Sequence, residues 1–499
     1  MRAALLLIPA TVLLAVTGCT TVSPASSPLS RDNAAIQAAM AKHIGILASD
    51  DFGGRRPGTE GEAQTLRYLA REWQAAGLES GTNDPANPWF APVELALSLP
   101  ERGTARFTAG GRAIPLAAGD AAVFTSAQRG LVERAPVVFV GTAGGQLDRS
   151  VLAGRVAVML WDHEGQVEQR NALLSAGASA VLAVVMDERE LAGLTANRRR
   201  GSYRLGGADD GGAIDGYLSR AAMSTLVGQE RWAALLRAAG EDDFRPTPLN
   251  LSATLEATSI PGTVRTYNLV ARLPGRRSSA GAVLVLGHWD HFGTCAEPPA
   301  TDLICNGAVD NASGLAVMTE LARRLAAGPR LERDVYFLAT TAEEWGLLGA
   351  QAFAENPPIP LDTIVAAFNL DTVAVAPAGS PVAIVGKGLT RLDPGILQVI
   401  AQMGRSESDE RLAQDYVRRQ DGWALLQRDV PAVSVTSAFA LPGPLGRYTA
   451  EHYHQPSDEP AGVELGGAAD DLLLTAALVR HFADPARWPG VAGKTPAAP

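Results

Sequence analysis

The sequence predicts an α/β protein: a mixed, mostly parallel central sheet flanked by helices, with a β-rich block inserted into it. Three observations carry this. Between about 265 and 485, buried-type strands alternate with helical stretches, the pattern of a parallel sheet covered on both faces. Between about 100 and 258 the texture changes to short β runs separated by Gly-rich turns. The chain has 499 residues, 46% of them hydrophobic and 19% charged, so it can bury a large core and exceeds one ordinary domain.

In chain order, the first feature is a targeting segment. Arg2 gives a minimal positive start, and Ala3 to Val16 is almost wholly apolar but too short to span a bilayer comfortably. It ends in Val16-Thr17-Gly18-Cys19, which resembles the lipobox of bacterial lipoproteins, where the cysteine becomes the lipidated first residue. The Ser-, Thr- and Pro-rich stretch Thr20 to Ser30 then reads as a flexible tether. By that resemblance the protein is exported and lipid-anchored in the cell envelope, and the absence of Asp after Cys19 favours an outer membrane.

Ile36, Met40, Ile44 and Leu47 recur at helical spacing. A turn follows at Gly53 to Gly58, then a second amphipathic helix from about Glu60 to Ala76. The middle block offers strands at Val137 to Val140, Val156 to Leu160 and Ala180 to Val185, with a helix at Val167 to Ala176. The third block gives strands at Ala282 to Leu286, Asp334 to Thr340, Ile364 to Leu370 and Ala432 to Thr436. Its helices are Gly314 to Ala326, Leu347 to Glu355, Pro394 to Met403 and Ala468 to Phe482. The divisions that follow are a signal peptide at 1–18, a lipidated N-terminus and tether at 19–32, a main domain in two parts at 33–99 and 259–485, the insertion at 100–258, and a flexible tail at 486–499.

The formal charge of −10 argues against nucleic acid as a partner, which needs a basic face. The one basic run, Arg198-Arg199-Arg200, reads as an exposed loop. Besides Cys19 the chain has only Cys295 and Cys305, and export makes a disulfide between them the expected state.

Five short motifs follow strand-like runs or close the chain: His288-Trp289-Asp290, Asp310-Asn311-Ala312-Ser313-Gly314, Glu343-Glu344, Asn369-Leu370-Asp371 and Tyr453-His454. Parallel strands gather such residues at one edge of a sheet. His288 suits a metal ligand, and Asp290 could hold its other ring nitrogen or simply orient the turn. His291 reads as structural or supporting. Asp310 could cap a helix, but beside the other acids and histidines it reads as a carboxylate giving one oxygen to each of two metals. Glu343-Glu344 suggests a base beside a ligand.

Together these motifs resemble the co-catalytic zinc aminopeptidases of metallopeptidase family twenty-eight, over roughly residues 265 to 485. Leu47 to Thr59 resembles the family's opening, and the middle block resembles a protease-associated domain. The resemblance implies a zinc-exopeptidase-like fold that hydrolyses peptides with two zinc ions per chain, although the donor types also suit cobalt and manganese. It implies that His288 and Asp371 hold one metal, Glu344 and His454 the other, and that Asp310 bridges them. Glu343 would be the general base, Asp290 would orient His288, and Tyr453 would donate a hydrogen bond to the oxyanion. The chain departs from the family at Arg419-Gln420-Asp421-Gly422, where many relatives carry Arg-Ser-Asp-His; Arg419 and Asp421 remain as substrate contacts, and Trp423 either shapes the pocket or packs beneath it. Three competing readings share the scaffold: a carboxypeptidase or dipeptidase, a glutaminyl cyclase with one zinc, and a surface-binding lipoprotein without activity. The retained motif set argues against the last.

Overall fold

The computed structural model describes residues 28–142, 148–162, 166–206, 212–241, 243–408 and 411–490. The expected signal peptide at 1–18, Cys19, the tether to residue 27 and the tail beyond 490 lie outside these residues.

One 15-stranded sheet runs through the molecule. Its main path, in spatial order, is Ala383–Val385, Ala432–Thr436, Ile364–Asn369, Ala282–His288, Asp334–Thr340, Thr247–Leu273, Arg129–Gly141, Val156–Leu160, Ala180–Val185, Ile214–Ser219 and Ala121–Thr125. Ala282–His288 lies parallel to both its neighbours, and Ile364–Asn369 is parallel to Ala432–Thr436. These four strands are buried along their whole length, which is why they read as unbroken apolar runs. Helices Pro28–Leu47, Gly314–Ala326 and Leu465–Phe482 cover one face. Ile36, Met40, Ile44 and Leu47 point into that core as their spacing requires.

The strand Thr247–Leu273 is 27 residues long and belongs to both halves of the sheet. Leu249, Leu251, Ala253, Leu255 and Ala257 alternate inward, the signature of a strand buried on one face. Its pairing with Phe90–Ala109 shifts register between Thr258 and Ser259, where the sequence changes texture. The middle block is more mixed than a β-rich reading suggests. Val156–Leu160, Ala180–Val185 and Ile214–Ser219 form a parallel set, and helices Glu188–Arg199, Arg220–Val227 and Gln229–Ala239 accompany the expected one.

Three local expectations need correction. The first helix starts at Pro28, inside the stretch read as tether; proline is favoured at a helix start because its missing N–H would have no partner there. Arg198-Arg199-Arg200 is not a free loop: Arg198 and Arg199 end a helix, Arg198 pairs with Asp215 at 2.7 Å, and Arg200 donates to the Cys295 carbonyl. The tail is anchored at its start, because Trp488 packs on Phe482 at 4.9 Å and Arg333 donates to the Trp488 and Pro489 carbonyls.

Candidate metal centre

The parallel strands end on one side of the sheet, and the motifs leave from those ends. His288 is the last residue of its strand. Glu343 and Glu344 lie three and four residues past Thr340, and Asp371 lies two past Asn369. Asp310 sits in the turn Ala308–Ser313 that opens helix Gly314–Ala326. Asn311 ties that turn down: its Nδ2 donates to the Leu370 carbonyl at 2.9 Å, and its Oδ1 accepts from the Gly314 N–H at 3.0 Å. Asp458 holds it from the other side, accepting from the N–H groups of Val309 and Asp310 at 2.9 and 3.1 Å. Between His288 and Asp310, a disulfide joins Cys295 to Cys305, and the short ladder Gly293–Thr294 with Ile304–Cys305 closes the loop.

The side chains converge in two sets that share one residue. His288 Nε2 lies 3.2 Å from Asp310 Oδ1 and 3.4 Å from Asp371 Oδ1. His454 Nε2 lies 3.3 Å from Asp310 Oδ2 and 3.2 Å from Glu344 Oε2. Each Asp310 oxygen therefore faces a different histidine, and donor atoms of His288, Asp310 and Glu344 lie within 4.8 Å of one another. Bonds of about 2.0 Å to a tetrahedral ion place neighbouring donor atoms about 3.3 Å apart, so each set has the spacing of ligands around one zinc. His288 Nε2 and His454 Nε2 are buried and have no hydrogen-bond partner. A buried imidazole nitrogen without a partner is costly unless something binds it. The donors are the carboxylates and imidazoles that zinc takes. The residues present fit two divalent cations.

The electrostatics agree. Asp290, Asp310, Glu343, Glu344 and Asp371 meet around three histidines, His288, His291 and His454. Burial pushes the Asp290 carboxyl up to about 8. Burial, with Asp371 and Glu344 beside it, raises Glu343 well above the usual carboxylate range, against the pull of His288. Burial disfavours a charged His454, but Glu344 and Asp310 outweigh it and lift the imidazole to about 9. Burial and Asp310 work against ionised Glu344, yet His454 and His291 hold it at about 2. The acids thus hold positive charge among them as protons on imidazole, and divalent cations would take the place of those protons.

Asp290 meets His288 with its carboxylate as well as its backbone, Oδ1 lying 4.0 Å from His288 Nδ1. The closer His288 Nδ1 contact is to the Asp290 backbone carbonyl, at 3.1 Å, and the Asp290 carboxylate also accepts from the Glu343 and Glu344 N–H groups at 3.1 and 3.4 Å. A turn after a strand end leaves such N–H groups without partners, and Asp290 supplies them. Tyr453 stacks on His454 at 3.6 Å, and Arg419 donates to its hydroxyl at 3.3 Å. Arg419 and Tyr453 line a cleft together with Asp310, Glu343 and Asp371. Asp421, expected beside Arg419 at the substrate, is instead buried and accepts the Thr340 hydroxyl. Trp423 packs in a neighbouring apolar cluster, with the Arg418 guanidinium 5.3 Å over its ring.

Three supporting residues surround the centre: His291, already read as structural or supporting, and Arg55 and Tyr203, which the sequence did not single out. His291 Nδ1 meets Glu344 Oε1 at 2.5 Å, so this histidine turns toward the centre rather than away. Arg55 is fully buried and donates to the Trp289, Leu47, Asn306 and Gly307 carbonyls, tying the first turn to both ligand loops. Tyr203, from the middle block, packs edge-on against Trp345 at 4.8 Å, directly after Glu344. An arginine within the Gly-rich turn Gly53 to Gly58 was the visible signal for Arg55; the partners of Tyr203 and His291 lie far away in sequence.

Residues 268–477 match the model of Peptidase family M28. The chain is 30% identical over 142 residues to a probable zinc metalloprotease of Pyrenophora tritici-repentis (strain Pt-1C-BFP), covering 28% of this chain and 29% of that protein. It is 34% identical over 143 residues to a probable zinc metalloprotease of Leptosphaeria maculans, covering 28% of this chain and 32% of the relative. The chain thus spans about a third or less of these curated relatives. Among solved structures, an aminopeptidase from Aneurinibacillus sp. strain AM-1 aligns with a TM-score of 0.59 at 18% identity, over 93% of this chain and 96% of that one. A peptidase M28 precursor from Shewanella amazonensis SB2B aligns with a TM-score of 0.50 at 16% identity, over 91% and 96%. These two likenesses show a shared fold. The segment that matches the Peptidase family M28 model carries His288, Asp310, Glu343, Glu344, Asp371 and His454.

Proposed function

We propose that this protein is an exported aminopeptidase that uses two zinc ions to remove N-terminal residues from peptides. The observation that carries the reading is the Asp310 carboxylate, whose two oxygens each face a separate donor set. His288 and Asp371 would complete one set, Glu344 and His454 the other. When bound, zinc supplies Lewis acidity that makes water a nucleophile near neutral pH and polarises a carbonyl.

The chain's own groups do the rest. Glu343 lines the cleft beside Asp310 and Asp371 and accepts the proton of the attacking water. The water oxygen bonds to the scissile carbon, the C–N bond breaks, and Glu343 returns the proton to the leaving amine. Tyr453, whose burial keeps its hydroxyl protonated, donates to the developing oxyanion. Arg419 fixes that hydroxyl. Asp290 fixes the turn that carries Glu343 and Glu344.

The proposal extends to the ends of the chain. Cys19 is the lipidation site, the body is tethered at the cell envelope, and residues 100–258 form a protease-associated insertion; the lipobox-like run and the change of texture support these parts. Peptides are the substrates and nucleic acid is not a partner. A panel of aminoacyl anilides, before and after chelation, tests the activity. Hydrolysis of free-amine anilides that stops on chelation and is absent on N-blocked ones supports it. Hydrolysis of N-blocked substrates bearing a free carboxylate, with free-amine anilides untouched, would replace it with a carboxypeptidase.

A further inference from the structure

The inner end of the cleft holds an unusual number of idle polar atoms. Asn369, Ser434 and Gln420 all line it, and all are at least nine-tenths buried. Neither polar atom of the Asn369 side chain has a hydrogen-bond partner, and neither does Ser434 Oγ or Gln420 Nε2. The strands explain their meeting. Ile364–Asn369 and Ala432–Thr436 pair in register at Phe368 and Val433, which brings Asn369 and Ser434 next to each other. On the far side Ser434 pairs with Val385. Gln420 arrives from the turn before Gly422, whose N–H takes up its Oε1 at 3.3 Å and leaves its Nε2 free. The walls above are apolar: Val385, Tyr416, Phe439 and Leu445.

A side chain that enters such a cleft displaces whatever water satisfies these atoms. A purely apolar side chain would leave donors and acceptors unpaired in a buried place, and that penalty is larger than the gain from one matching contact. A side chain with an apolar stem and a neutral tip that both donates and accepts meets them. Asn369, Ser434 and Gln420 offer no charge to an acid or a base, and Arg419 of the same cleft donates to the Tyr453 hydroxyl.

Building on the aminopeptidase reading above, we propose that this cleft selects peptides whose first residue carries a neutral hydrogen-bonding side chain, an amide or a hydroxyl, with Ser434, Asn369 and Gln420 as the selecting residues.

The test uses isosteric pairs with the full-length protein loaded with zinc: glutaminyl against methionyl anilide, and threonyl against valyl anilide. The expected result is kcat/KM about tenfold or more higher for the polar member of each pair. Ser434→Ala and Gln420→Met should shrink that ratio, chiefly by slowing the polar substrates, with unchanged thermal midpoints. If either variant fails to fold, the wild-type ratios still decide. Equal or faster hydrolysis of methionyl and valyl anilides would overturn the proposal while leaving the aminopeptidase reading intact. Ammonia released from the glutaminyl substrate without the aniline would overturn both readings, because the side-chain amide would then be the group that reacts and not the group that these residues hold. Hydrolysis of no anilide would overturn both.

Discussion

Two stretches of one continuous sheet bury opposite kinds of side chain. Between residues 100 and 258 the core is Phe107, Phe139, Val158, Leu182, Trp232 and their neighbours. Among the described residues there, the buried hydroxyls of Thr125 and Ser219 have partners, the Gly212 carbonyl at 2.9 Å and Asp120 at 2.7 Å, and the Trp232 indole N–H is buried without one. Its ion pairs, such as Arg170 with Asp215 at 2.8 Å, stay partly exposed. The C-terminal stretch buries His288, Asp290, His291, Asp310, Asp421 and Asp458 and leaves three imidazole nitrogens, on His288, His291 and His454, without partners. Buried hydroxyls with partners are cheap, whereas clustered carboxylates need cations. The first stretch is arranged for stability and the second for binding charge.

Substitutions can break this contrast. The largest effect is expected from Asp310→Ala, which removes the residue common to both donor sets. Peptidase activity should fall to background and bound zinc should fall with it, read by turnover and elemental analysis. Glu343→Gln comes next: kcat should drop about 10²- to 10⁴-fold while metal content stays at the wild-type level. Near-normal turnover would remove Glu343 from the role of base. In the middle block, Phe139→Ala should lower unfolding free energy by about 3–5 kcal/mol yet leave metal content and activity per folded molecule unchanged. A loss of zinc in that variant would show that the two stretches are not separable.

The smallest effect sits where the stretches touch. Tyr203 meets Trp345, the Arg56 guanidinium lies 5.3 Å over both rings, and Trp345 leads through Phe292 to His454, with ring centroids 5.5 and 4.5 Å apart. An aromatic pair of this kind is worth about 0.5–1.5 kcal/mol. Tyr203→Ala should therefore lower kcat a few-fold with little change in KM. Tyr203→Phe keeps the ring, loses the hydrogen bond to the Pro57 carbonyl, and should stay closer to wild type. Equal losses in both variants would assign the effect to the hydroxyl instead.

Much of this was legible in the sequence, for physical reasons. Strands Asp334–Thr340 and Ala432–Thr436 and helix Gly314–Ala326 fall where the pattern placed them, because burial on every side leaves continuous apolar runs and helix periodicity leaves a stripe. The residues now grouped around Asp310 stood out because acids and histidines rarely follow such strands by accident. What stayed hidden depends on partners, which periodicity does not report. Nothing local says that the Asp290 carboxylate serves the Glu343 turn, that His291 reaches Glu344, or that Asp421 turns to Thr340. The middle-block helix Glu188–Arg199 was missed because only Leu191 of its residues is buried, so it carries no apolar stripe.

The central claim is that Asp310 joins two metal sites. The most direct test is zinc per chain in the purified protein after dialysis, beside His288→Ala and His454→Ala. The account predicts about two per chain in the wild type and about one in each variant. A wild-type value of one or less under zinc-replete conditions, or full peptidase activity in metal-free protein, would contradict it.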